Sequence, residues 1–280
     1  MRKIASSVFV ETGWKSGTSA SAGSNSGFVI TTDGIVMIDA PQVPGNALKW
    51  LDIIRERGKL IYLINTEFHA DHTMGDYFFP ATIISHEETR KAIPDALLSP
   101  DYVREIVRDR YPDNVHLVEN YEIRLPSLTF SERLILNFGG HTFEMIHLPG
   151  HTLGQICVRV PEEGVVFTGD NFSNGFQPAL SYCYPFDWLR SLDKLLNYDC
   201  EFFVPGHGEI GVRKDVIRFR DFLAYCIETV SHAVVTGMTR DEIINTIEFE
   251  ELLPPRHPGR DQQKRNIARL YDMTVSGHAG

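Results

Sequence analysis

The chain has 280 residues, a formal net charge of −10 and 42% hydrophobic residues. This is the composition of a soluble globular protein with enough apolar residues for a sizeable core, and the length is within the range of one large α/β domain. The acidic charge argues against nucleic acid or an anionic membrane as a partner, because either would require a basic surface.

The four cysteines lie far apart, and no two of them form a Cys-x-x-Cys motif. Their distribution is typical neither of a disulfide framework nor of a thiolate zinc site, and it favours a reducing compartment. The opening stretch MRKIASSVFVETGW has no apolar signal sequence, and no run approaches the roughly 18 apolar residues of a membrane-spanning helix. These features predict a cytoplasmic protein without a membrane-spanning segment.

Strands and helices are predicted in alternation along most of the chain. Apolar runs bounded by turn residues predict strands, and apolar residues at helical spacing predict helices. The predicted strands are a hairpin at 27–40, 60–65, 81–86, 133–138, 141–148, a hairpin at 155–170, and 201–208. The predicted helices are 46–58, 87–98 with a break near Pro94, 187–198, and two or three pieces within 212–275. Residues 97–125 have no readable pattern. We expect a single domain over residues 1–280, in which residues 211–280 form a helical C-terminal extension.

Polar side chains of one chemical kind follow four of the predicted strands. The segment INTEFHADHT comes directly after the strand 60–65 and contains Glu67, His69, Asp71 and His72. In three later segments, LPGHTLGQ, VVFTGDNF and FVPGHGE, a strand is followed by glycine and one histidine or aspartate. These three residues are His151, Asp170 and His207. Imidazoles and carboxylates together suit a divalent metal ion, zinc foremost, with iron or manganese as alternatives. The pattern predicts a metal site at one edge of a sheet.

The order EFHADH, GHT, GD and GHG resembles the metallo-β-lactamase superfamily, whose pattern is HxHxDH followed by His, Asp and His. The resemblance covers about residues 20–210. It implies an α/β fold, an αββα sandwich of two mixed β-sheets flanked by helices, with the metal site at one sheet edge. It also implies two divalent metal ions, with zinc expected first. By position, the first ion would be bound by Glu67, His69 and His151, the second by Asp71, His72 and His207, and Asp170 would bridge them.

The same resemblance implies a metal-dependent hydrolase that attacks a small-molecule carboxyl ester, lactone, thioester or cyclic amide with a metal-bound hydroxide. Asp71 would be a ligand and would also move a proton. Tyr182 or Tyr184 could donate a hydrogen bond to a developing oxyanion, although simple packing of these rings is the other interpretation. Asn171 stands close to where lactonases of the family often have a tyrosine, which counts against a lactonase.

Two other functions stay open on the same fold. One is a mononuclear iron oxidoreductase of the dioxygenase kind, and the other is a non-catalytic binding protein. The metal content of the purified protein would separate them, because two zinc ions favour hydrolysis and one iron favours oxygen chemistry. A homodimer is the default expectation for the oligomeric state.

Glu67 departs from the family pattern, which has histidine at this position. A carboxylate is a competent zinc ligand, so we predict that Glu67 binds metal; a supporting role beside the ligands and loss of the first site are the alternatives. As a ligand, Glu67 would join Asp71, Asp170 and a hydroxide in neutralising two divalent ions. A less positive centre attracts anions less, which counts against phosphodiester and nucleotide substrates.

Overall fold

The computed structural model describes residues 1–12, 23–95, 99–249, 252–254 and 261–276. Within these ranges the chain forms two β-sheets, one of seven strands and one of five, with helices on their outer faces. The predicted αββα sandwich of two mixed sheets with a helical C-terminal region is confirmed. None of the helices in these ranges has the length and apolar content needed to cross a membrane. The single-domain organisation stays a prediction.

The first sheet comes from the first half of the chain, with its strands in sequential order. The strands are β1 (Arg2–Lys3), β2 (Val8–Glu11), β3 (Ser26–Thr31), β4 (Gly34–Ile38), β5 (Leu60–Ile64), β6 (Thr82–His86) and β7 (Leu128–Phe130). The helices between them are α1 (Pro44–Arg57), α2 (Ala70–Thr73), α3 (Glu87–Asp95) and α4 (Pro100–Arg110). Strands β1 to β4 pair antiparallel, and β4 to β7 pair parallel. Parallel pairs need crossover connections, and the helices of this half lie within those connections.

The second sheet and the C-terminal helices come from the second half. The strands are β8 (Arg133–Phe138), β9 (His141–His147), β10 (Ile156–Val160), β11 (Val165–Asn174) and β12 (Phe202–Gly208). The helices are α5 (Pro185–Leu195), α6 (Arg213–Val235), α7 (Arg240–Thr246) and α8 (Gln262–Val275). The spatial order is β12-β11-β10-β9-β8, and only the β11–β12 pair in this described sheet is parallel.

An apolar layer holds the two sheets face to face. Val8, Val36 and Ile64 of the first sheet contribute to it, and Phe143 and Val158 of the second sheet pack into the same cluster. All five side chains are fully buried. Burying one such side chain stabilises the fold by about 1.5–3 kcal/mol, so this layer fixes how the edges of the two sheets meet.

Helices cover the outer faces through large aromatic side chains. Trp50 of α1 packs with Phe28 on the outer face of the first sheet. Trp188 of α5 and Phe219 of α6 pack together on the outer face of the second sheet. Helix α8 in turn packs on α6, which places the C-terminal helices on the second sheet.

Helix α4 lies in the segment 97–125, where the sequence pattern gave no element. Its start has two recognisable signals, since the Ser99 hydroxyl accepts a hydrogen bond from the Tyr102 amide at 3.1 Å and Pro100 occupies the first turn. Its buried side chains, Val103, Ile106 and Val107, are few, and the helix is otherwise polar. That polarity concealed the helical period. Residues 96–98 of the predicted helix 87–98 lie outside the described residues.

Candidate metal centre

Loops and strand ends from both sheets meet at one edge of the sandwich. In the first sheet, β5 ends at Ile64, and the loop after it and the short helix α2 carry the first four candidate residues. In the second sheet, the β9–β10 connection carries His151, while β11 and β12 carry Asp170 and His207. The pairing of β11 with β12 shifts register on both sides of Gly169. Such irregularities redirect side chains next to active sites, and here the shift accompanies Asp170.

The first set of candidate ligands consists of Glu67, His69 and His151, whose donor atoms all lie within 4.8 Å of one another. Glu67 Oε2 is 2.5 Å from His69 Nδ1. His151 Nε2 is 3.3 Å from His69 Nδ1 and 3.5 Å from Glu67 Oε1. Glu67 is completely buried. The Glu67 carboxylate is therefore close enough to both imidazoles to share one ion with them, and its role as a ligand stays a prediction.

The second set consists of Asp71, His72 and His207, again with donor atoms within 4.8 Å of one another. His207 Nε2 is 3.1 Å from Asp71 Oδ2. Asp170 lies between the two sets: its Oδ1 is 3.3 Å from His72 Nε2, and its Oδ2 is 3.3 Å from His207 Nε2 and 3.5 Å from His151 Nε2. The seven predicted ligand residues are thus brought together.

The donor set fits metal ions because several buried donor atoms have no hydrogen-bond partner among the described residues. These atoms are Glu67 Oε1, His72 Nε2, Asp170 Oδ1 and His207 Nε2. Leaving one such group unpaired costs about 1–3 kcal/mol, and four of them point into one small volume. The backbone makes room for them, since a Cβ at Gly206 would lie 1.8 Å from Asp170 Oδ1. Such a centre is suited to cations.

Both buried carboxylates are held in their anionic form. Burial by itself would raise the pKa of Glu67, but the nearby imidazoles of His69 and His151 outweigh it and keep that pKa below its usual value. Burial likewise opposes ionisation of Asp170, whose pKa is nevertheless held well below its usual value by His207 and His72. These two carboxylates carry negative charge at neutral pH, as metal ligands must.

The imidazoles differ from one another in their preference for a proton. Burial alone would lower the pKa of His72, but Asp39, Glu67 and Asp170 raise it well above its usual value. For His151 burial dominates, and its pKa is lowered. His72 therefore keeps its proton to higher pH, so that a cation would have to displace it, whereas His151 loses its proton more readily.

Asp39 supports the centre and was missed in the sequence. Its carboxylate accepts hydrogen bonds from the Thr66 amide at 2.8 Å and from the Thr66 hydroxyl at 2.7 Å, and it lies 2.9 Å from His72 Nδ1. This contact orients the ring so that Nε2 faces the centre, a common arrangement around metal-binding histidines. A signal existed, because Asp39 follows the apolar run GIVMI as the other candidates follow their strands.

Asn171 fixes the loop that carries His151. Its Oδ1 accepts a hydrogen bond from the His151 amide at 3.0 Å, and its Nδ2 donates one to the Leu148 carbonyl at 2.6 Å. Gly150 packs so closely against it that a Cβ there would lie 2.5 Å from Asn171 Oδ1. The asparagine at this position is thus used to hold a ligand loop in place.

Two residues before β3 tie the remaining ligands to the first sheet. The Asn25 amide donates to the Gly206 carbonyl at 2.7 Å, and its side chain donates to the carbonyls of Pro205 and Gly208. The Ser24 hydroxyl donates to the Asp71 carbonyl at 2.8 Å. These buried polar residues, which the sequence did not single out, link the second set of ligands across the sandwich.

The two tyrosines proposed as hydrogen-bond donors are placed differently. Tyr182 is half exposed, and its ring lies 5.3 Å from the ring of His69 and edge-on to Phe68 at 5.7 Å. Tyr184 is partly buried, and its backbone amide donates to the Gly150 carbonyl at 2.8 Å. Tyr182 therefore borders the first set of ligands. A donor role for either hydroxyl stays a prediction.

Several curated proteins are similar to this chain over part of its length. The atrochrysone carboxyl ACP thioesterase nsrC of Aspergillus novofumigatus is 26% identical over 195 residues, which are 67% of this chain and 50% of that protein. The acyl-coenzyme A thioesterase MBLAC2 of Bos taurus is 24% identical over 152 residues, 51% of this chain and 54% of that protein. This chain spans about half or less of the length of the curated relatives that it matches first.

Solved structures and a family model agree with the architecture. A metallo-beta-lactamase from Pontibacter korlensis has a TM-score of 0.60 to this chain at 19% identity, and the match covers 80% of this chain and 97% of that one. The family model of the metallo-beta-lactamase superfamily matches residues 22–207, a range that includes every candidate ligand. Since this match covers most of the sequence, the chain belongs to the metallo-β-lactamase superfamily.

Proposed function

We propose that this protein is a metal-dependent hydrolase of small acyl compounds and that thioesters are its preferred substrates. The observation that carries the proposal is the pair of ligand sets on either side of Asp170, with their unpartnered donor atoms directed into one volume. Two ligand sets this close suit a pair of divalent ions, and paired ions are a common means of hydrolysing acyl and phosphoryl bonds.

The residues that would hold the ions are those of the two sets together with the bridging aspartate: Glu67, His69 and His151; Asp71, His72 and His207; and Asp170. Mixed imidazole and carboxylate ligands fit zinc first, with iron or manganese as alternatives. When bound, such ions would polarise the scissile carbonyl and lower the pKa of water towards about 7.

The chain's own groups would do the rest of the chemistry. The Asp71 side chain is 22% exposed, more than any other carboxylate of the centre, so its carboxylate oxygen can accept a proton from water and release it towards the leaving group. Tyr182, half exposed beside His69, would border the acyl group and could donate a hydrogen bond from its hydroxyl to the developing oxyanion. Tyr184 is the second candidate donor, from the same loop.

Thioesters are preferred over the other bond types for three reasons. Both of the curated relatives described above are named thioesterases. Three carboxylates in the centre reduce its positive charge, which disfavours a negatively charged reacting group such as a phosphate ester and favours a neutral acyl carbonyl. Asn171 is engaged in holding the His151 loop, whereas family lactonases often have a tyrosine close to this place.

The proposal is tested by measuring thiol release from acyl-coenzyme A thioesters of several chain lengths by the zinc-loaded protein. Parallel assays use p-nitrophenyl esters, a lactone and a β-lactam. We expect thioester turnover that chelation abolishes. His207→Ala should reduce turnover by about a hundredfold or more, because mutating even a residue that hydrogen-bonds to a metal ligand typically costs about 10–100-fold in metal affinity or activity. His232→Ala, which removes an exposed histidine of α6, is the matched control.

Absence of turnover on all these substrates by protein shown to contain two zinc ions would overturn the proposal in favour of a binding protein. Purification with one iron and oxygen consumption would overturn it in favour of an oxidoreductase.

A further inference from the structure

The two oxygens of Glu67 have different imidazole neighbours. Oε2 lies 2.5 Å from His69 Nδ1 and also accepts a hydrogen bond from the His69 amide at 3.3 Å. Oε1 lies 3.5 Å from His151 Nε2 and 3.4 Å from His72 Nε2, and it has no hydrogen-bond partner among the described residues. His69 and His151 belong to the first set, whereas His72 belongs to the second. This carboxylate therefore reaches both sets.

Asp170 has a closely similar arrangement on the other side of the centre. Its Oδ1 lies 3.3 Å from His72 Nε2, and its Oδ2 lies 3.5 Å from His151 Nε2. Glu67, His72 and Asp170 also form a third group whose donor atoms lie within 4.8 Å of one another. Both carboxylates are thus buried between the same two imidazoles, one from each set.

We propose that Glu67 is a bridging ligand, so that two carboxylates, Glu67 and Asp170, hold the two ions together. This inference rests on the metal centre of the proposed function and concerns how that centre is loaded. The neutral imidazole that the family pattern places here has one lone pair to offer and no charge. Histidine at position 67 could hold one ion but could not bridge two.

A second bridge changes the energetics of metal loading. Two divalent ions about 3.5–4 Å apart repel each other, and an anionic oxygen pair between them offsets that repulsion. The first ion to bind would also fix the orientation of Glu67 for the second. Removal of Glu67 should therefore weaken the binding of both ions. Removal of a ligand that contacts one ion should mainly weaken the binding of that ion.

The test is a zinc titration against a chromophoric chelator, with the wild-type chain, Glu67→Ala, Glu67→His and, as the matched control, His69→Ala. We expect the wild type to bind two ions, and we expect His69→Ala to bind one of the two ions more weakly. In Glu67→Ala both ions should bind at least about tenfold more weakly, because mutating even a residue that only supports a metal ligand typically costs that much in affinity. In Glu67→His two ions should bind again, but in separate steps of clearly different affinity.

If Glu67→Ala matches His69→Ala, or keeps both ions at wild-type affinity, the bridge is ruled out. Fewer than two ions in the wild type would rule it out as well. Glu67→Gln, which preserves side-chain shape, replaces Glu67→Ala if the latter does not fold by circular dichroism. The titration needs no substrate: an inactive wild type that loads two ions in the expected way would overturn the proposed function and leave the bridge intact.

Discussion

Asp39 holds an unusual backbone conformation next to the metal centre. Among the described residues it is the one non-glycine with positive φ, at +51°. The left-handed region costs a non-glycine residue about 1–2 kcal/mol, and strain of this kind collects at functional sites. Hydrogen bonds from both the amide and the hydroxyl of Thr66 to the carboxylate offset that cost. The conformation aims the carboxylate at His72 Nδ1.

Replacing Asp39 by asparagine should weaken zinc binding by about 10–100-fold, the usual effect of losing the partner of a metal-binding histidine. Asparagine tolerates the left-handed conformation and keeps one acceptor oxygen, so the fold should survive. The lost negative charge would make the His72 ring a poorer donor to the ion. Zinc affinity measured by chelator competition checks this, with Asp33→Asn in the exposed β3–β4 turn as control. Equal affinities for Asp39→Asn and the control would contradict the role assigned here.

The candidate ligands could be proposed from the sequence, whereas the roles of the residues that support them could not. Each candidate ligand follows an apolar strand and fits a motif of imidazoles and carboxylates, so local pattern is enough to find it. Asp39 and Asn171 act through partners that lie 20 to 33 residues away in the chain. Their roles come from the way strands assemble at the sheet edge, which one strand does not reveal.

At the scale of elements, helix α8 holds the loop that carries the two tyrosines. The Asn266 Oδ1 accepts a hydrogen bond from the Leu180 amide at 2.9 Å, and its Nδ2 donates to the Pro178 carbonyl at 2.8 Å. Gln262 donates to the carbonyls of Gln177 and Pro178. These side chains are buried, so α8 presents polar groups inwards. Helix α8 therefore fixes the position of the segment that borders the centre.

Asn266→Leu should weaken the contact between α8 and this segment without affecting metal binding. Leucine is similar in size but leaves the buried Leu180 amide unpaired, at a cost of about 1–3 kcal/mol, and the Pro178 carbonyl keeps only its hydrogen bond from Gln262. We expect a lower melting temperature, unchanged zinc content, and a higher KM for acyl thioesters because Tyr182 is less well positioned. Arg265→Leu, at an exposed position of the same helix, is the control. Zinc loss in Asn266→Leu, or an unchanged KM, would contradict the positioning role.

Helix prediction succeeded where apolar residues repeat along one face and was incomplete where polar residues face inwards. The amphipathic pattern of α5 was visible because Trp188, Leu192 and Leu195 are all buried. Helix α8 buries Gln262 and Asn266 beside its apolar residues, so its helical period could be read but its inward face was not obvious. The role of such a face depends on the loop that it meets.

At the scale of the whole molecule, the metal centre connects the two sheets. The first sheet supplies the residues after β5, and the second supplies His151, Asp170 and His207. Metal ions bound here would join loops that are otherwise held together by the apolar layer and by Asn25 and its neighbours. A metal ion that binds the folded chain and not the unfolded one would stabilise the fold by about 2.7 kcal/mol at a free concentration of one hundred times Kd.

The size of this stabilisation should depend on pH in a defined direction. In the metal-free protein the pKa of His72 is raised, so the stability it contributes is complete below its unfolded pKa and is lost as pH rises through the folded value. The pKa of Asp170 is lowered, so its contribution is present above its unfolded pKa and is lost as pH falls through the folded value. From about pH 6.5 to about pH 8, the contributions of His72 and of His69, whose pKa is also raised, fall as pH rises, whereas the contribution of His151, whose pKa is lowered, is lost as pH falls below this range.

Zinc should therefore raise the melting temperature more at high pH than at low pH. At low pH a proton on His72 competes with the metal, and at high pH the metal-free protein has lost the stability that this proton supplied. The measurement is the difference in melting temperature between zinc-loaded and chelator-treated protein across this pH range. His207→Ala, which lacks one ligand of the second set, should show a small difference throughout. A wild-type difference that stays constant with pH, or that shrinks as pH rises, would show that zinc does not displace a proton from His72.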